Sequence, residues 1–211
     1  QMEGLALKNV VLKAFNRDSK KVLFEDMGEM VFTSRGVSGP LVLSLSSHLK
    51  KTSLLSTAME IDLKPALDDA TLDARIQRDF GEFINRDFAN ALSKLLPKSL
   101  IPVMVSRLKM NPKAKVNQIT REQRLALVGQ IKHFALSPRA FGPIEGAIVT
   151  AGGVNVKEID PKTMQSKLVK GLYFAGEVLD VDGYTGGFNL QIAFSTGFLA
   201  GTHFTKREEM K

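Results

Sequence analysis

Residues 171–191 read GLYFAGEVLDVDGYTGGFNLQ, and the rest of the chain is best understood outward from this stretch. Gly171-Leu172-Tyr173-Phe174-Ala175 is an apolar run that predicts a buried strand. Gly176-Glu177 then sets a carboxylate just past the strand's carboxyl end, where ligands bind in open α/β sheets. Asp180 to Gly187 is a glycine-rich loop, and a helix is predicted from about Asn189 to His203. Glycines let a ligand approach the backbone, and the first turn of a helix has unpaired N–H groups with partial positive charge. Such a junction suits an anion or an electron-rich carbonyl. A glycine pair before a helix is by itself only a turn, and an acid after a strand only a solvated charge or a cap. Strand, acid, loop and helix in one continuous unit carry more weight than either.

The stretch from Gly183 to Thr205 has no Asp, Glu, Lys or Arg, and Gly197-x-x-x-Gly201 has the spacing of a transmembrane packing motif. Its polarity argues against a span, because Thr185, Asn189, Gln191, Ser195, Thr196 and His203 need hydrogen-bond partners that lipid lacks. The expectation is a helix whose small face, Ala193, Gly197 and Gly201, packs tightly on a sheet.

Upstream, Ala147-Ile148-Val149-Thr150 is a short apolar run ended by Gly152-Gly153, and 158–170 is a polar connection containing Pro161. Residues 1–65 carry the period of strands. Val10, Leu12 and Ala14 alternate, Asn16-Arg17-Asp18-Ser19-Lys20 is a polar turn before Val22-Leu23-Phe24, and Met30-Val31-Phe32 is a further apolar run. Met59, Ile61 and Leu63 alternate with Glu60, Asp62 and Lys64, while Ser38-Gly39-Pro40 offers a cap and first-turn proline to a helix with Leu41, Leu45 and Leu49. From about 68 to 134 the period becomes helical. Leu72, Ile76, Phe80, Phe83, Ile84, Phe88, Leu92 and Leu95 form one stripe ended by Pro97, and Leu100, Val103, Met104 and Leu108 mark a second helix. Thr120 and Gln123 open a third with the spacing of a capping box.

Composition is that of a globular chain, with 211 residues, 44% hydrophobic and 24% charged. No cysteine is present, which excludes disulfides, thiolate metal sites and a cysteine nucleophile and fits a reducing, cytoplasmic compartment. The start, Gln1-Met2-Glu3-Gly4, lacks a signal peptide's basic and apolar regions and has the texture of a chain interior. The net charge of +7 would suit a nucleic-acid partner. Against that, basic residues mix with acids, as between Asp68 and Asp87, and the densest cluster, Lys109, Lys113 and Lys115 around Pro112, reads as a solvated loop. Two tyrosines and no tryptophan leave little to stack on bases. The expectation is therefore no nucleic acid and no membrane.

The string 171–191 resembles the C-terminal FAD signature of the BaiN-like bacterial flavoproteins, a family that includes aminoacetone oxidases. VTAGGV at 149–154, GEMVFT at 28–33 and GVSGP at 36–40 are similar to further stretches of that family, so the resemblance runs over nearly the whole chain. It implies a barrel-like and a helical insertion within a discontinuous FAD domain. It also implies that Gly176 and Glu177 approach the ribityl and pyrophosphate part of FAD, with the Glu177 carboxylate on a ribityl hydroxyl. Gly186, Gly187, Asn189 and Leu190 would meet the isoalloxazine ring, chiefly through backbone groups at the helix start, and Thr185 joins the cofactor-binding set. A reduced flavin gathers negative charge at N1 and the C2 oxygen, which such a helix start would stabilise. Gly152 and Gly153 either line the flavin face or turn the chain. Asp180 and Asp182 either face a substrate or cap the loop, with capping the simpler role. His48, His133 and His203 fall on predicted helices in surface or packing roles, no catalytic acid or base is assigned, and no metal is expected.

A complete member of that family would carry a Gly-x-Gly-x-x-Gly fingerprint for the ADP half, and no Gly-x-Gly occurs in these 211 residues. The expected architecture is α+β: a mainly antiparallel, barrel-like β subdomain over 1–65 completed by about 135–160, a three-helix subdomain over 66–134, and over 135–211 return strands with a strand-loop-helix remnant of a discontinuous FAD-binding fold. The expected function is that of a truncated FAD-dependent oxidoreductase whose parent takes a hydride from a reduced small-molecule substrate or NAD(P)H. The chain alone, without the N-terminal half of its FAD domain, would be inactive and would not hold FAD. The rival is a non-catalytic interaction module using the barrel as a binding surface, with nucleic-acid binding a lesser alternative.

Overall fold

The computed structural model describes residues 2–49 and 54–209, with side chains described as far as Phe204. The chain divides into two compact units, Gln1–Ala140 and Phe141–Lys211.

The first unit is built on a five-stranded antiparallel sheet. Strands β1 (Ala6–Asn16) and β2 (Val22–Thr33) form a hairpin, and β3 (Gly36–Ser38), β4 (Thr57–Asp62) and β5 (Phe134–Leu136) complete the order β3-β2-β1-β4-β5. At the hairpin turn the Asn16 Oδ1 accepts the N–H groups of Asp18 and Ser19 at 3.0 and 2.9 Å, which is how an Asn side chain closes a tight turn. In β1 the buried residues are Leu7, Val10, Leu12 and Ala14. The step between Leu7 and Val10 is a bulge, with Asn9 at φ 53°, and it returns the strand to phase so that Leu7 also faces inward. Helix α1 (Pro40–His48) starts with Pro40 in its first turn, but its N-cap is Gly39 at φ 96° rather than Ser38, which ends β3. A Cβ on Gly39 would stand 3.0 Å from the Met30 Cα, so only glycine fits there.

The helices are α2 (Asp69–Glu82), α3 (Phe88–Ala91), α4 (Ile101–Leu108) and α5 (Arg121–Lys132). Asp68 caps α2 by accepting the Thr71 N–H at 2.7 Å, and Thr120 and Gln123 form the reciprocal capping box of α5 at 3.2 and 3.0 Å. The stripe Leu72–Leu95 does not run as one helix. It breaks after Glu82 because residues 84–89 turn their backbone to the 112–117 segment. Phe88 and Ala89 N–H donate to the Ala114 and Pro112 carbonyls, and Val116 N–H donates to Arg86 O. Ile84, read as part of the stripe, is 53% exposed, and Phe83 lies under the Arg86 guanidinium at 4.5 Å. Sheet and helices share one hydrophobic core, with Leu12, Ile61, Leu72, Ile76, Met104 and Leu127 fully buried, instead of each subdomain closing its own.

The second unit is differently constituted. Among its described residues, Ile159, Met164 and Leu179 are the buried hydrophobic ones, joined by the partly buried Val154, Phe174, Leu199 and Ala200. Residues 171–175, read as a buried strand, make a single bridge, Gln165 to Tyr173, and Leu172 is 42% exposed. A buried strand needs ladder partners on its flanks, and here one bridge stands in their place. Residues 147–150 form no strand either, and Ile148 is 71% exposed. Helix α6 (Phe188–Glu209) lies where a helix was expected, but a Cβ on Gly197 or Gly201 would meet nothing within 4 Å. The packing of α6 runs instead through Ala193, Leu199 and Ala200. Among the described residues no helix is long and apolar enough to cross a membrane.

Helices α2 and α5 are tied by a two-pronged ion pair, Arg124 Nε to Asp73 Oδ1 at 2.6 Å and Nη2 to Oδ2 at 3.3 Å, with both side chains 18% exposed. The Arg124 hydrogen bond holds the Asp73 carboxyl below its usual range. A carboxyl with a lowered folded-state pKa adds stability above its unfolded value of about 3.9 and loses it as pH falls through the lower folded value. Asp73→Ala should cost about 1 kcal/mol in urea melts near neutral pH, with the gap to wild type closing below about pH 4.

Candidate functional site

The residues read from the sequence as cofactor-binding all lie in the second unit, along one segment and the start of α6. Gly176–Val178 is a single turn of 3-10 helix, and Gly176 sits at φ 73°. Its N–H donates to the Thr196 hydroxyl at 2.9 Å, and a Cβ added to it would lie 3.7 Å from the Ala193 Cβ. Farther along the segment, Asn189 grips Gly183 from both sides: its Oδ1 accepts the Gly183 N–H at 2.7 Å and its Nδ2 donates to the Gly183 carbonyl at 2.9 Å. The segment from Gly176 to Gly183 is thus pinned at both ends to one face of α6, the face of Asn189, Ile192, Ala193 and Thr196.

This arrangement gives the Asn189 side chain a role that the sequence reading, which assigned it backbone contacts, did not address. Its amide locks the loop, and what the helix start offers outward is backbone. Thr196 was missed as a site-forming residue. Its signal is only that it shares the Asn189 face two turns later.

Between the pinned segment and the helix, Thr185, Gly186 and Gly187 are exposed, with Gly186 at φ 112° and Gly187 at φ 91°. A Cβ on Gly187 would meet nothing within 4 Å, and one on Gly186 only the Phe188 ring at 3.7 Å, so the loop backbone is open to an approaching group. The Glu177 carboxylate is exposed and has no hydrogen-bond partner among the described residues. Leu190 is 61% exposed and heads an apolar row with Phe194 at 69% and Phe198 at 75%.

Gly152 and Gly153 turn the chain against the segment just described. Val154 N–H donates to Val178 O at 2.8 Å, Asp180 N–H to Val154 O at 2.9 Å, and Gly152 N–H to Asp180 Oδ1 at 3.1 Å. Asp180 therefore caps this turn. Asp182 is exposed. Gly153, at φ 144°, allows the close approach, because a Cβ there would stand 2.5 Å from the Val178 carbonyl oxygen.

The histidines take structural roles. His133 Nδ1 lies 3.0 Å from Glu60 Oε2, His203 Nε2 2.9 Å from the Lys162 carbonyl, and His48 packs on Phe24 at 5.4 Å. No group of three His, Asp or Glu gathers in a metal-binding arrangement among the described residues.

A five-stranded antiparallel sheet sharing its core with a helical module, followed by a glycine loop strapped to a helix, defines an α+β chain. Residues 1–149 match the HI0933-like protein barrel and H2TH domain, and the chain belongs to the HI0933-like family. It is 31% identical over 190 residues to the 3-dehydro-bile acid delta(4,6)-reductase of Clostridium scindens, covering 89% of this chain and 46% of that protein. It is 34% identical over 179 residues to the ribosomal RNA dihydrouridine synthase of Haemophilus influenzae, covering 85% and 43%. The synthase of the same name from Escherichia coli is 33% identical over 169 residues, covering 80% and 40%. The chain spans less than half the length of each of these relatives.

The turn at Gly153 admits a direct check. Gly153→Ala should break the Val154 and Asp180 bonds and speed exchange of both amides, at a cost of about 2 kcal/mol or more, because a clash adds to the positive-φ strain. Gly152→Ala, at φ 101° with open space, carries the strain alone and should cost about 1 kcal/mol.

Proposed function

We propose that this chain supplies the flavin-ring side of an FAD site in a longer reductase, the ADP side being held by the remainder of that protein. The observation that supports the reading most is the double anchoring of residues 176–183 on α6. It holds the Glu177 turn and the open Gly186-Gly187 backbone beside the start of one helix.

The residues present fit the group. A planar ring can approach the loop at Gly187, where a Cβ would meet nothing within 4 Å, and at Gly186, beside which the Phe188 ring lies. The N–H groups of the first turn of α6 favour negative charge at a ring edge, and so favour a reduced ring over an oxidised one. Glu177, exposed and unpartnered, is a fitting acceptor for ribityl hydroxyls. Asn189 acts on the loop, holding Gly183 so that the backbone after it keeps its shape. Bound FAD would supply a two-electron carrier that passes hydride from a nicotinamide to a substrate.

The names of the relatives bear on the reaction class. A bile acid delta(4,6)-reductase and a dihydrouridine synthase both add hydrogen across a carbon–carbon double bond. We assign that class, hydride plus proton added to a conjugated double bond, to the longer protein. The small core of the second unit and the exposed row Leu190, Phe194 and Phe198 support a unit completed by further protein, since three buried hydrophobic side chains among its described residues are little to hold it together.

In the longer protein, Glu177→Ala should leave folding unchanged and raise the FAD dissociation constant by about tenfold or more. That is the range expected when a charged hydrogen bond of about 1.5–3 kcal/mol is lost. Visible flavin absorbance of the purified variant and titration with added FAD read the effect. A full flavin complement would remove Glu177 from the site.

A further inference from the structure

Seven Lys or Arg and one acid, Asp87, fall between Phe83 and Gln118. That segment holds a net +6 of the chain's +7, so the mixing of signs seen between Asp68 and Asp87 does not extend through the helical module. It also forms a groove of about 670 Å³ walled by Arg86, Asp87, Asn90, Ser93, Lys98 and Lys115, with Ile101 and Pro102 at its apolar side. We propose that this groove binds the phosphate backbone of RNA.

Two of the wall segments are bonded to each other through their backbones. The start of α3 is bonded to the 112–116 turn through Phe88 N–H to Ala114 O at 2.8 Å, Ala89 N–H to Pro112 O at 3.1 Å and Val116 N–H to Arg86 O at 3.0 Å. The cations differ in availability. Arg107 is occupied by the fold, stacked on Phe134 at 3.9 Å and donating to Ala135 O, and Lys94 pairs with Glu82. Lys115 pairs with Asp87 at 2.8 Å. Arg86 and Lys98 are exposed and pair with no acid among the described residues, and Arg86 is held in place by its stack on Phe83. A solvated lysine loop would put its charges at large on the surface. Here two unpaired cations and the Asn90 amide line one backbone-bonded groove. Its one acid, Asp87, is paired with Lys115, and the Ser93 hydroxyl donates to the Asn90 carbonyl at 2.7 Å. Cations and an amide are the donors that a chain of phosphates and sugar hydroxyls requires. The affinity of such a groove is electrostatic and falls with salt.

The choice of RNA over other polyanions rests on the double-bond reductase reading above, since a uracil ring carries a C5=C6 bond conjugated to a carbonyl. The groove itself lies in the first unit and needs no flavin, so binding can be tested apart from that reading.

The test is fluorescence anisotropy of the 211-residue chain with a labelled, uridine-containing RNA stem-loop over a salt series, with poly-L-glutamate as competitor. Binding in the micromolar range should weaken as salt rises. Arg86→Gln with Lys98→Gln should weaken it by about tenfold and lower the salt slope by about two, one per lost contact. Lys8→Gln with Lys21→Gln removes the same charge from exposed positions on the hairpin and should change affinity by less than about twofold. Thermal melts check folding, and if Arg86→Gln is unstable, Lys98→Gln alone replaces it, with a salt slope lowered by about one for its single lost contact. Three results would overturn the proposal: no RNA binding, equal losses in the groove and hairpin variants, or poly-L-glutamate binding as tightly as RNA. RNA binding with a flavin-free parent would sink the reductase reading and leave the groove standing.

Discussion

Strand β1 is hydrogen-bonded along both edges, to β2 on one side and β4 on the other, and everything in the first unit follows from that central position. Leu12 and Ala14, wholly buried, are set opposite Asp26 and Phe24 on one flank and Ile61 and Met59 on the other. A slip of one residue would turn this face to water, so the register is fixed by burial. The bulge at Asn9 serves the same constraint by bringing Leu7 back to the inner face. Helices α2, α4 and α5 then complete a core that the sheet alone could not close, and the Asp73–Arg124 pair ties two of them together.

The second unit obeys a different economy. Its order comes from a few hydrogen bonds between loop and helix more than from burial. Thr196 and Asn189 each spend a side chain on backbone groups of glycines, Gly176 and Gly183, which lie against α6, while Gly186 and Gly187 beyond them face outward. Gly153 makes the same bargain in reverse, letting two backbones meet where any Cβ would collide. Specific hydrogen bonds thus fix the shape of a loop whose open backbone is its chemical offer.

The sequence was legible wherever burial on one side imposed a period. Val10, Leu12 and Ala14, and Met59 and Ile61, alternate because one face of the sheet is covered, and Thr120 and Gln123 announce α5 because a capping box is local chemistry. It was misleading where apolar content had another cause. Phe83 and Ile84 extend the stripe of α2, yet Phe83 serves as a platform for Arg86 and the helix has already ended. Leu172 and Phe174 read as a buried strand because composition cannot say whether ladder partners are present. Within the site, the glycine positions and the helix start were visible, while the Thr196 anchor was not, since a Thr on a helix carries no mark of what it bonds. The concentration of positive charge was visible too, but only when counted over residues 83–118 and set against the groove they form.

The central claim is that the loop-helix junction at residues 183–191 meets the flavin ring in the longer protein. Hydrogen exchange of that protein with and without FAD tests it most directly, because it reads each backbone amide in place. The account predicts strong protection on FAD binding at Gly186 through Leu190 and at Glu177, with strands β1 and β2 unchanged. Exchange at Gly186 through Leu190 that is indifferent to FAD, in a protein that demonstrably binds it, would contradict the account.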